Sequence, residues 1–202
     1  FANFVSYKKN SNKDNEKKQN IIKCLLIGRE YQVQTCTSVF RSDAYNTIRG
    51  KVESFGKNFL MGDTQLWCYL STQGKFHYFS DDMAVYRIND GSSCRQPSLE
   101  RRLRFNLSCA EMRVVVSEDL KLDEATLSMF QDRYWKELIK YLSFDSNYKI
   151  FVPLKVGGFK KTILAAMKLK PISIIVKGLI QYYYKHNVNE INQKYHGIPV
   201  MK

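Results

Sequence analysis

With 202 residues, 44% hydrophobic, 13% aromatic and 25% charged, the chain has a folded protein's composition, which excludes disorder as the default, and is long enough to bury roughly 70% of its unfolded surface. Five cysteines, Cys24, Cys36, Cys68, Cys94 and Cys109, are odd in number and never spaced C-x-x-C, which argues against a disulfide framework or a structural zinc site and favours a reducing cytoplasm. The net charge of +13 attracts polyanions without choosing among nucleic acid, anionic lipid and a nucleotide diphosphate.

The chain opens at Phe1 inside the β-prone run FANFVSY, with no signal peptide ahead of it, which suggests a natural N-terminal part upstream. Phe1 to Tyr7 and Ile21 to Ile27 read as strands, and the polar KKNSNKDNEKKQN between them as a solvated, hairpin-like loop. Gln32 to Arg41 reads as a buried strand packed through Val33, Cys36, Val39 and Phe40. Ser42 and Asp43 are suited to cap a helix through Ala44 to Ser54 that Gly56 ends.

A second helix starts at Asp63 and runs to about Thr72, with Leu66, Trp67, Tyr69 and Leu70 on an apolar face and Gly74 behind it. Lys75 to Phe79 and Met83 to Ile88 read as strands around the turn Ser80-Asp81-Asp82. Beyond them the pattern turns helical. Ser98 caps a helix to about Val116, Asp123 starts another through Leu142, and helices at about 159–170 and 172–186 flank Pro171. No apolar run approaches the ~18 residues that a membrane-spanning helix needs.

The segment Gly62 to Ser93, GDTQLWCYLSTQGKFHYFSDDMAVYRINDGSS, together with Gln34 to Asp43, QTCTSVFRSD, resembles the acceptor half of the family 2 glycosyltransferases. The resemblance covers roughly the first half of the chain. It implies an α/β fold, a partial GT-A-like, Rossmann-related mixed sheet over residues 1–95, followed by an all-helical, basic region over 96–202. It also implies transfer of a sugar, with inversion, from a nucleotide-diphosphate sugar to a glycan or lipid-linked acceptor in surface polysaccharide assembly.

By that resemblance Asp63 is the catalytic base that deprotonates the acceptor hydroxyl, a position that an ordinary helix N-cap would occupy equally well. Arg87, Asn89, Ser92 and Ser93 fall where the family contacts the donor phosphates; Arg87 has Asp81, Asp82 and Asp90 as alternative partners. Asn89 stands where the family commonly carries a metal-binding His and is a weaker ligand. Arg41 and Trp67 would support the acceptor pocket, with a nearby carboxylate as the alternative partner of Arg41. The divalent metal, Mg or Mn, would be held by an Asp-x-Asp signature that this chain does not carry and that is expected upstream of Phe1, so this stretch by itself is expected to be inactive.

The last fifty residues add a separate signal. From Phe151 to Lys202 nine lysines face the single acid Glu190, and between Phe159 and His186 they alternate with Ile163, Met167, Ile172, Ile175, Leu179 and Tyr183. Such helices either lie on an anionic membrane or pack as ordinary amphipathic helices. The first option places the protein in the cytoplasm, peripheral on the inner face of the cell membrane. The alternative function is a non-catalytic basic module for anionic membrane or nucleic acid; no nucleic-acid-binding motif supports the latter partner.

Overall fold

The computed structural model describes residues 12–28, 33, 35–56, 59–77, 98–153 and 157–187. Among them are seven α-helices: α1 (Asn12–Ile27), α2 (Ser42–Gly56), α3 (Asp63–Gln73), α4 (Leu99–Asp119), α5 (Glu124–Leu142), α6 (Gly158–Met167) and α7 (Lys170–His186), with one 3-10 turn at Thr35–Thr37. No strand occurs among the described residues, so the mixed α/β sheet expected over residues 1–95 is corrected there to a helical architecture; the strand expected at Phe1 to Tyr7 lies outside the described residues.

The physical reason is clearest in α1. Among the described side chains of α1, Ile22, Leu25 and Leu26 are buried, a spacing of 3 and 4 that belongs to a helix and not to the alternation of a half-buried strand. The preceding stretch, rich in Lys, Glu, Gln and Asn, continues that helix instead of looping, because straight-chain charged residues are good helix formers even without apolar anchors. The expected strand at 32–41 is also absent where it is described: Thr35–Thr37 forms a 3-10 turn and Val39 is 75% exposed. Residues 75–77 are irregular, while Phe79 and the strand at 83–88 lie outside the described residues.

The chain divides into two compact units, Phe1–Tyr134 and Trp135–Lys202. In the first, α1, α2 and α4 each pack against α3. That central position buries Gln65, Trp67, Cys68, Tyr69, Leu70 and Ser71 in near-succession, with Leu66 half-buried. Each fully buried large apolar side chain contributes ~1.5–3 kcal/mol. Burial pushes the Cys68 thiol far up, as expected of a cysteine acting as a small hydrophobe.

Polar tethers fix the helices around α3. Asp119, near the end of α4, accepts from the Tyr69 hydroxyl at 2.9 Å and pairs with Lys51 of α2 at 2.6 Å. Burial first, then the hydrogen bond to Asp119, raises the phenol's pKa well above its ordinary value. Helix α1 ends on Gly28, whose φ of 74° is the left-handed conformation glycine tolerates, and whose N–H reaches Cys24 O at 2.8 Å. A second last-turn carbonyl, Leu26 O, accepts from Arg113 Nε at 2.6 Å, so an otherwise orphaned helix-end acceptor is satisfied by α4.

The link between α4 and α5 is a tight, fully bonded turn. Leu122 N–H reaches Ser117 O at 3.0 Å and Lys121 N–H reaches Glu118 O at 3.2 Å, the Schellman pattern, with Lys121 taking a φ of 52°. Asp123 then starts α5 as the sequence predicts: its carboxylate accepts from Thr126 N–H at 2.8 Å and from the Thr126 hydroxyl at 2.6 Å. Ser98 likewise caps α4, accepting from Arg101 N–H.

The second unit holds the end of α5, α6 and α7. Its buried residues include Leu138, Tyr141, Leu142, Val152 and Met167, and Tyr148 meets Tyr141 edge-on at 5.2 Å. Lys177 lies over the Phe144 ring at 4.6 Å and Lys160 over Trp135 at 5.7 Å. Pro171 sits in the first turn of α7, where its missing N–H costs nothing; the break that the sequence places there is the short Lys168–Leu169 joint between α6 and α7.

Candidate functional site

At the N-terminal end of α3 the helix start meets the turn at Thr35. Gly62 precedes the helix without a side-chain cap, and Asp63 is its exposed first residue. One carboxylate oxygen of Asp63 accepts from Thr64 N–H at 2.8 Å, and the other receives the Thr35 hydroxyl at 3.5 Å. Two carboxylate oxygens offer about four lone-pair sites, so this carboxylate retains acceptor capacity toward solvent.

The segment from Thr35 to Asp43 lies against the same helix. Besides the Thr35 contact, the Phe40 ring stands edge-on to Trp67 at 6.1 Å and 5.6 Å from Tyr45. The described residues of 35–43 thus meet α3 through Thr35 and Phe40. Trp67 is 3% exposed, with its indole N–H unpartnered, and supports α3 from within the core.

Arg41 has a different partner from the acceptor. Its guanidinium forms a fork on Asp43, Nε to Oδ1 at 3.0 Å and Nη2 to Oδ2 at 2.8 Å. That hydrogen-bonded pairing lowers the Asp43 pKa and raises that of Arg41. Asp43 also accepts from Ala44 N–H at 2.9 Å, so the pair organises the first turn of α2. The nearby carboxylate expected for Arg41 is therefore Asp43, and the fork is held locally.

Arg87, Asn89, Ser92 and Ser93 lie outside the described residues. Among the described residues, Asp63 is met by the Thr35 hydroxyl and Thr64 N–H, too few oxygen donors for a divalent-metal site. Among the described residues no cluster of three or more His, Cys, Asp or Glu could hold a metal ion.

Two features near the site escape a sequence reading. Thr35 reaches Asp63 across 28 positions, a contact that no local pattern encodes. Gln65, two residues beyond Asp63, is fully buried with neither amide atom hydrogen-bonded, an arrangement that costs roughly 1–3 kcal/mol; the lone polar residue in the run QLWCYL was its only signal. Glu111 on α4 is likewise 1% exposed, with Arg104 at 3.6 Å.

Among the described residues no helix is long and apolar enough to cross a membrane. No protein-family model, no curated protein and no solved structure matches the chain.

Proposed function

We propose that the chain serves in glycosyl transfer, with Asp63 as the base that accepts the proton of the acceptor hydroxyl. The acceptor oxygen attacks the anomeric carbon, its proton passes to the Asp63 carboxylate, and the bond to the nucleotide diphosphate breaks with the electron pair leaving on phosphate. The observation that carries this reading is the position of Asp63: an exposed carboxylate on the first turn of a helix whose body is buried. Burial of Trp67 to Ser71 fixes the helix, so the carboxylate is held in place without being sealed from substrate.

By resemblance the donor is a nucleotide-diphosphate sugar, the acceptor a glycan or lipid-linked sugar, and the reaction inverting. Arg87, Asn89, Ser92 and Ser93 are the proposed donor-side contacts; a divalent metal would be held elsewhere, and no step above runs through it. The setting is the cytoplasmic face of the cell envelope.

Asp63→Asn tests the base directly. In the full protein it is expected to lower turnover by roughly 10²–10⁴ at unchanged melting temperature and unchanged donor binding. Turnover near the wild-type value would remove Asp63 from the mechanism.

A further inference from the structure

Helix α7 is apolar on two sides. One side, Val176, Ile180 and Tyr184 with the serine Ser173, is buried or half-buried. The other carries Ile174, Ile175, Leu179, Tyr182 and Tyr183 at 67%, 63%, 65%, 65% and 55% exposure. At about 100° per residue these five occupy one continuous half of the helix surface. Scattered exposed apolar residues are ordinary, but a contiguous stripe of this length marks a binding surface.

Charge selects the occupant. Between Gly157 and Asn187 the chain has Lys160, Lys161, Lys168, Lys170, Lys177 and Lys185 and no acid. Lys170 and Lys185, at the two ends of α7, are exposed, as are Phe159 at 80% and Leu169 at 56% at the ends of α6. A second copy of the chain would bring like charges together on this face. Nucleic acid would satisfy the lysines but leave Ile174, Ile175 and Leu179 against phosphate and water. An anionic bilayer satisfies both, with the aliphatic chains at the acyl boundary and tyrosines and lysines among the headgroups. With 17 residues, α7 is about 25 Å long, shorter than the ~30 Å hydrocarbon core, so it suits the plane of the interface.

We propose that the Ile174–Tyr183 face of α7 is a docking surface for an anionic lipid bilayer. The chain sediments with vesicles of phosphatidylcholine and phosphatidylglycerol and stays in the supernatant with phosphatidylcholine alone. Ile175→Glu with Leu179→Glu lowers the bound fraction about tenfold or more while circular dichroism shows the same helix content. Leu179→Trp gains a fluorophore that brominated acyl chains quench. Asp63→Asn binds like the wild type, which separates this surface from the catalytic proposal. Three results would overturn the docking surface: no vesicle binding, vesicle binding that survives the double substitution, or a wild-type dimer that the double substitution converts to monomer without any effect of lipid.

Discussion

In α3 the consecutive residues Trp67, Cys68, Tyr69 and Leu70 are all buried, because three other helices pack around it. In α7 a comparable set, Ile174, Ile175, Leu179, Tyr182 and Tyr183, stands in solvent. The two helices cannot be told apart by apolar content, and what separates them is whether their own unit supplies a cover. A covered helix becomes a rigid mount for a polar group at its end, Asp63. An uncovered one is left with a face to place against something else.

The largest effect that would sharpen this contrast is the one on chemistry: Asp63→Asn should cost turnover by orders of magnitude and stability almost nothing. Next comes Trp67→Ala, which empties a core position and should destabilise the first unit by about 3–5 kcal/mol, read as a lower urea midpoint. A loss below about 1 kcal/mol would mean that α3 is not the anchored helix described above.

A smaller effect concerns how the two helix pairs are joined. The α4–α5 turn relies on the Asp123 carboxylate, whereas α7 begins without a side-chain cap. The bonds from Thr126, its hydroxyl first and its backbone N–H second, depress the folded-state pKa of Asp123. The stabilisation is therefore in force above the unfolded value of ~3.9 and disappears as pH falls through the lower folded value. Asp123→Ala should melt below the wild type near neutral pH, and the two melting curves should converge in strong acid; a gap independent of pH would assign the cap to something other than the charge. Smallest of all, Leu179→Ser should leave stability within about 0.5 kcal/mol, since its side chain is already in water. A clear destabilisation would show that the α7 face is covered within the protein itself.

The helices after residue 98 were legible because their caps and periods agree: Ser98 and Asp123 as N-caps, Pro171 at a helix start, and Leu138 and Leu142 at i, i+4 spacing. The start of α3 at Asp63 was equally plain, since glycine, acid and an apolar run occur in that order. α1 was misread because its polar first half has no apolar marker and its second half is rich in residues common to strands and buried helices alike. The spacing of Ile22, Leu25 and Leu26 carries the helical period, but over too few residues to stand out.

The site was partly legible. Asp63 could be singled out because the neighbours that define it, Gly62 and the Leu66–Trp67 pair, are local. Thr35 and Phe40 could not be joined to it, because their contacts are set by the path of the backbone between residues 41 and 62. Arg41 was read toward the acceptor pocket or a nearby carboxylate; its fork lies on Asp43, two residues away.

Where helices begin, which of their faces are apolar and where the positive charge gathers follow from the order of side chains, since backbone bonding and capping act over four residues or fewer. Which apolar faces are covered does not, since burial depends on the arrangement of several helices at once. Packing hid Gln65, which local pattern does not distinguish from an exposed residue, and it left Ile175 and Leu179 open.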